Sequence, residues 1–129
     1  MRLYPPVWSV SRTAIDKDEF RGVHLDKGDV VFCMIYNAHR REDLFKNAST
    51  FNPDRFNVTA KKSMPKMSYL PFGGGPRLCI GNMFALMEMQ LILVGLLQRF
   101  DFTLVADQNI DLEALITLRP RYGIKMRLN

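Results

Sequence analysis

From Asn82 to Phe100 the chain reads NMFALMEMQLILVGLLQRF, with only five strongly polar residues in nineteen. A helix of this composition is apolar on most of its faces and has no side to give to water, so it is expected in an interior. That requirement constrains the fold more than any other feature, because other elements must cover the helix. Its most apolar part, Met83 to Leu97, is broken by Glu88 and Gln90. It also falls short of the roughly 20 residues that a membrane-spanning helix needs. The segment that feeds the helix, Phe72 to Gly81, reads FGGGPRLCIG: three consecutive glycines, a lone cysteine and a further glycine.

The rest of the chain supplies smaller elements. Arg2-Leu3-Tyr4-Pro5-Pro6 reads as the last turn of a helix begun upstream, since proline often follows a helix C-terminus. Short extended pieces between Thr13 and Leu25 surround a charged turn at Asp16–Glu19. Asp26-Lys27-Gly28-Asp29 forms a second turn, which launches the continuous apolar run Val30 to Tyr36 as a buried strand. Asn37 to Phe45 is expected to hold a short helix. Lys46 to Leu70, which carries Pro53 and Pro65, reads as a long irregular meander, and long loops are usually functional. Beyond the apolar helix, strands are expected at Asp101–Val105, Leu115–Leu118 and Ile124–Leu128, the last two joined through Arg119–Gly123. The class is α+β, in one domain or a piece of one.

Charge and cysteine content narrow the chemistry. The 129 residues carry 18 Lys and Arg against 13 Asp and Glu, a net charge of +5. This excess favours acidic partners. The basic residues are scattered apart from Arg40-Arg41 and Lys61-Lys62, which argues against nucleic acid. Two cysteines, Cys33 and Cys79, cannot build a disulfide framework or a four-ligand zinc site.

Cys79 stands just before a helix N-terminus, where unpaired amides and the positive end of the helix dipole favour thiolate over thiol. Thiolate is the form that binds a soft metal. Gly73, Gly74 and Gly75 permit a tight turn and the close approach of a flat ligand, and Gly81 does the same beyond the cysteine. Arg77 is placed to pair with a carboxylate on such a ligand. Three other readings compete on the residues alone: a phosphate cradle, a catalytic nucleophile and an inert cysteine. The first lacks G-x-x-x-x-G-K-[ST] and G-x-G-x-x-G. The second needs a histidine base, and only His24 and His39 exist, both remote in sequence.

Phe72, Gly75, Arg77, Cys79 and Gly81 fill every fixed position of F-x-x-G-x-R-x-C-x-G, and this segment resembles the haem-binding signature of the cytochrome P-450 family. Further landmarks agree in order. Arg2-Leu3-Tyr4-Pro5-Pro6 is similar to the stretch just after the Glu of the family's E-x-x-R helix, with Arg2 as its Arg. Phe51 to Phe56 (FNPDRF) resembles the P-E-R-F box, with Asp54 in place of its Glu and Arg55 as its Arg. The E-x-x-R Glu would fall two residues before Met1, which leaves Arg2 and Arg55 as two cations without a carboxylate.

The resemblance implies that residues 1–129 are the C-terminal part of a mainly α haem-thiolate domain, truncated within the E-x-x-R helix and covering its last third or less. Its parts are short strands, a long meander, the cysteine loop, one long buried helix and C-terminal strands. It implies haem b (iron protoporphyrin IX), held by Cys79 as axial thiolate and by Phe72, Gly73, Arg77, Ile80, Gly81 and Ala85. Arg12 corresponds to a second propionate ligand, while Arg2 and Arg55 are structural. Val7, Trp8, Leu115 and Ile116 fall where the family contacts substrate, and they suit an apolar small molecule. The function implied is monooxygenation, in which one oxygen of O2 enters an apolar substrate and a reductase or a ferredoxin- or flavodoxin-type redox partner supplies electrons.

A haem-thiolate peroxide isomerase or dehydratase, or a non-catalytic piece that holds haem weakly, are the alternatives. The 129 residues alone are expected not to turn over, because they supply only the proximal wall. The expected location is the cytoplasm, or the cytosolic face of a membrane where an upstream anchor exists.

Overall fold

A computed structural model describes residues 1–129 as two units, Met1–Pro71 and Phe72–Asn129. In the first unit, β1 (Val10–Thr13) runs antiparallel to β4 (Val30–Cys33), with Val10 opposite Cys33 and Thr13 opposite Val30. Between them β2 (Asp18–Phe20) and β3 (Val23–Leu25) form a tight hairpin. It closes through Arg21 and Gly22, whose φ values of 51° and 80° give the mirror-image two-residue turn that matches strand twist. The turn expected at Asp16–Glu19 is therefore displaced: Asp18 and Glu19 are strand residues, and Glu19 lies opposite His24. The Asp26–Asp29 turn forms as expected. The Asp29 amide donates to the Asp26 carbonyl at 3.0 Å, and the Asp26 amide donates to the Asp29 carboxylate at 2.8 Å.

The run from Val30 is not one buried strand. β4 ends at Cys33 and is exposed, because a two-stranded ribbon has no second layer on its face. The chain bends at Met34 into the one-turn helix α1 (Ile35–Ala38), which buries Ile35. Helix thus starts two residues earlier than the Asn37–Phe45 expectation, and turns come after it. The meander also holds two short helical pieces. Asn52 caps a 3-10 turn at Pro53–Phe56 through the Asp54 amide, and Asn57 caps α2 (Val58–Ser63) through the Ala60 amide. Every buried residue of the chain belongs to this unit: Arg2, Pro5, Ile35, His39, Phe45, Ala48 and Ser68.

The second unit opens with the glycine and cysteine loop and continues into α3 (Asn82–Leu97), close to the expected helix. Its strands pair differently from the sequence reading. β5 (Phe102–Leu104) pairs with β8 (Met126–Leu128), and β6 (Leu112–Ala114) pairs with β7 (Leu118–Pro120). The two strands expected to be joined through Arg119–Gly123 therefore belong to different ribbons, and Leu115–Thr117 is a hairpin tip. Gln108 ties the region together: its Nε2 donates to the Val105 and Lys125 carbonyls at 2.7 and 2.8 Å, and its Oε1 accepts from the Lys125 amide.

No residue of α3 is buried within these 129 residues, and Leu91 and Phe84 are two-thirds exposed. The interior position expected of this helix is not reached, since no layer of the chain covers it. No helix is long and apolar enough to cross a membrane.

Candidate functional site

The Phe72–Gly81 segment owes its shape to glycine. Gly73 and Gly75 adopt φ values of 75° and 66°, a region that side chains rarely enter. They bracket a sharp turn that ends in the 3-10 turn Gly75–Arg77. The turn is closed by the Leu78 amide on the Gly75 carbonyl at 3.1 Å and the Cys79 amide on the Phe72 carbonyl at 3.0 Å. These bonds bring Phe72 and Cys79 side by side and turn the cysteine outward, where it is a free, exposed thiol.

Gly81 is the residue from which α3 starts, and it has no side chain to cap the helix. The first amides of α3 thus lack both intrahelical acceptors and a capping side chain. A Cβ placed on Gly81 would meet Cys79 Sγ at 3.9 Å, so the missing side chain leaves the flank of the sulfur open. Ala85, whose amide bonds the Gly81 carbonyl at 2.9 Å, lies one helical turn on and continues the small-residue face. Ile80 is fully exposed, and the exposed Arg77 makes no ion pair. The local arrangement is a bare sulfur edged by glycine and alanine, with a free guanidinium two residues before it. That set of donors fits a flat, anionic macrocycle that carries a soft metal.

Phe72, Gly73, Arg77, Cys79, Ile80, Gly81 and Ala85 thus form one continuous loop-and-helix segment. Leu115 and Ile116 lie in the same unit at the β6–β7 tip, with Ile116 almost fully exposed. Arg12, Val7, Trp8, Arg2 and Arg55 belong to the first unit. Arg12 is an exposed β1 residue whose Nη1 donates to the Ser11 carbonyl at 2.7 Å, and Trp8 accepts the Tyr36 amide through its carbonyl at 2.9 Å.

Arg2 and Arg55 do not behave as surface charges. Arg2 is 5% exposed, and its guanidinium donates to the carbonyls of His39, Ala48 and Thr50 at 2.8, 2.6 and 3.0 Å. Arg55 donates to the carbonyls of Lys46 and Asn47. The two arginines thus hold five carbonyls between His39 and Thr50, and neither has a carboxylate partner. Burial, then the nearby charges of Arg55 and Arg40, hold the Arg2 pKa below its ordinary value. Arg55 Nε is buried without a partner. An open cleft of about 680 Å³ lies beside Arg2, lined in part by Met1, Tyr4, Phe51 and Tyr69.

Sequence reasoning notes His39 only as a histidine remote from Cys79 and leaves its connections unread. His39 is fully buried, and its Nε2 accepts the Leu70 amide at 2.8 Å. A histidine in an extended sequence neighbourhood of arginines gives no sign that its partner is a backbone amide 31 residues away.

A family model described as Cytochrome P450 matches residues 1–126. The chain is 38% identical over 123 residues to the putative cytochrome P450 132 of Mycobacterium bovis, covering 95% of this chain and 26% of that protein. It is 36% identical over 130 residues to the putative cytochrome P450 120 of Synechocystis sp., covering all of this chain and 29% of the other. The structure superposes with a TM-score of 0.90 on retinoic acid bound cyanobacterial CYP120A1, at 37% identity, covering 99% of this chain and 30% of that one. The chain therefore spans between a quarter and a third of these relatives.

Proposed function

The chain belongs to the cytochrome P450 family, and from that premise we propose that it is the C-terminal, haem-anchoring part of a longer haem-thiolate monooxygenase. The observation that carries the reading is the outward-turned Cys79 thiol, with Gly81 opening one flank of the sulfur and Arg77 free of any ion pair. In this reading Cys79 would ligate the iron of haem b, and Phe72 would stand beside the sulfur. Gly73, Ile80, Gly81 and Ala85 form the wall, and Arg77 and Arg12 pair with propionates. The first amides of α3, which lack acceptors within the helix, would be available as donors beside the ligand. Haem held there would supply the oxygen-activating chemistry, to which the Cys79 thiolate would contribute electron density.

The protein's remaining task is to hold an apolar substrate and admit electrons. Val7, Trp8, Leu115 and Ile116 are the residues proposed to meet the substrate, and their apolar character sets its class. The retinoic acid named for the cyanobacterial structure is a long apolar acid of that kind. Electrons come from a reductase or a ferredoxin- or flavodoxin-type donor, for which the basic residues Arg40, Arg41, Lys61, Lys62 and Lys66 offer charge complementarity. The exposed faces of α3 become interior faces once the rest of the parent protein surrounds them. The same reading puts forward the cytoplasm, or the cytosolic face of a membrane, as where the parent works.

Labelled dioxygen tests the reaction class. The full-length protein, given an electron donor and an apolar substrate, should place one labelled oxygen in the product. Rearrangement of an added peroxide without reductant, and no uptake of label from O2, would replace monooxygenation with isomerase or dehydratase chemistry.

A further inference from the structure

We propose that His39 is a positioning residue that anchors the stem of the cysteine loop, through its imidazole acting as a hydrogen-bond acceptor. His39 joins two systems that the sequence presents as unrelated. Its own carbonyl accepts the buried guanidinium of Arg2 at 2.8 Å, and its Nε2 accepts the amide of Leu70 at 2.8 Å. Leu70 lies two residues before Phe72, where the loop that presents Cys79 begins.

Three consecutive residues of this stem are fixed in different ways. Ser68 is buried, with its hydroxyl on the Pro65 carbonyl at 2.7 Å. The Tyr69 ring packs between His39, at 5.2 Å, and Phe56, at 4.8 Å. Leu70 is held by the imidazole. Of the three, only the Leu70 bond restrains the backbone at the point where the chain leaves for the loop.

The tautomer argues that the acceptor is what the site requires. An Nε2 that takes an amide hydrogen leaves the proton of the neutral ring on Nδ1. His39 Nδ1 is buried and makes no well-formed hydrogen bond, the backbone of Arg2 lying near the ring but outside good geometry. A buried, unpaired donor is unfavourable, and an apolar ring of similar size would remove it while keeping the packing against Tyr69 and Phe45. The histidine is therefore best explained by the one thing such a ring cannot do, which is to accept the Leu70 amide. The loop it anchors is important on the reading that Cys79 binds haem iron, and the proposal rests on that reading for its spectroscopic test alone.

The test uses the haem-loaded full-length protein and two substitutions with opposite losses. His39→Phe keeps the ring and removes the acceptor, whereas His39→Gln removes the ring and keeps an oxygen near the Nε2 position. In His39→Phe, exchange of the Leu70 amide should accelerate by about tenfold, the scale of one lost net hydrogen bond. The share of the ferrous CO complex with the red-shifted Soret band of thiolate ligation should also fall. His39→Gln should stay near the unsubstituted protein on both measurements. The opposite order, with Phe tolerated and Gln damaging, identifies a packing residue and overturns the proposal.

A third measurement needs no substitution. Imidazole nitrogen shifts should report protonation of Nδ1, and a proton on Nε2 would overturn the proposal directly. Absence of the red-shifted band from the unsubstituted protein would remove Cys79 as ligand, while Leu70 exchange would still decide whether His39 anchors the stem.

Discussion

The two units of this chain solve the problem of a small core in opposite ways. Met1–Pro71 gathers all seven buried residues, and at their centre stand a charged arginine and a histidine, not a cluster of aliphatic side chains. Its long meander has little regular structure to pair its carbonyls, and Arg2 and Arg55 satisfy four of them, with that of His39 as a fifth. Phe72–Asn129 holds the most apolar element of the chain and buries none of it. One unit is closed by polar bonds that it makes to itself, and the other displays an apolar helix that none of its own strands covers. Apolar composition therefore does not locate the core of a chain that spans a quarter to a third of its relatives.

The contrast can be broken most sharply at α3. Leu93→Asp should leave urea unfolding of the 129-residue chain unchanged, because Leu93 is already 57% exposed there. In the full-length protein the same change should cost about 4 kcal/mol, the scale of an unpaired charge placed in an interior. Equal effects in both settings would mean that α3 is a surface helix, and the contrast between the units would be lost.

The next effect belongs to the arginines. Arg2→Leu strands three carbonyls and should destabilise the protein by about 3 kcal/mol in urea titration. Arg2→Lys should recover little of this, since an ammonium lacks the planar fork that reaches three acceptors. Arg55→Ala, with two acceptors and more solvent exposure, should cost about half as much. A reversal of that order would show that the meander does not depend on the buried cation.

The extended loop and α3 are legible in sequence because glycine clusters and unbroken apolar runs announce themselves. The meander is legible only as irregular. Its order comes from arginine bonds to backbone carbonyls, and a carbonyl leaves no mark in a sequence. Local charge misplaces the first hairpin, where Asp16–Glu19 suggests a turn that Arg21-Gly22 supplies. Strand pairing in the second unit fails for a different reason. Nearest-neighbour reasoning joins segments that separate into β6–β7 and β5–β8, with Gln108 bonding Val105 and Lys125 at the open end of the β5–β8 ribbon. Of the site, the Cys79 loop is readable as a motif, whereas the anchoring of its stem by His39 depends on a backbone amide and is not.

A smaller effect sharpens the polar character of the first core. Burial is the main cause that holds the His39 pKa below its ordinary 6.5; the approach of the Arg2 backbone to the ring opposes it in part, and the charges of Arg2 and Arg40 add to the lowering. Above pH 6.5 the ring is neutral whether the protein is folded or unfolded, so it adds no pH dependence there. Below pH 6.5 the unfolded chain takes up a proton that the folded ring resists, and stability should fall as the pH drops. Urea midpoints between pH 7.5 and 5 should show this slope, and His39→Gln should flatten it. An equal slope in both proteins would place the titrating group elsewhere.

The haem-anchoring role stands or falls on Cys79. The ferrous CO complex of the full-length protein should show the red-shifted Soret band of a thiolate-ligated haem, and Cys79→Ala should abolish it. A protein without that band, or a Cys79→Ala variant that keeps it, would contradict the assignment of Cys79 as the iron ligand.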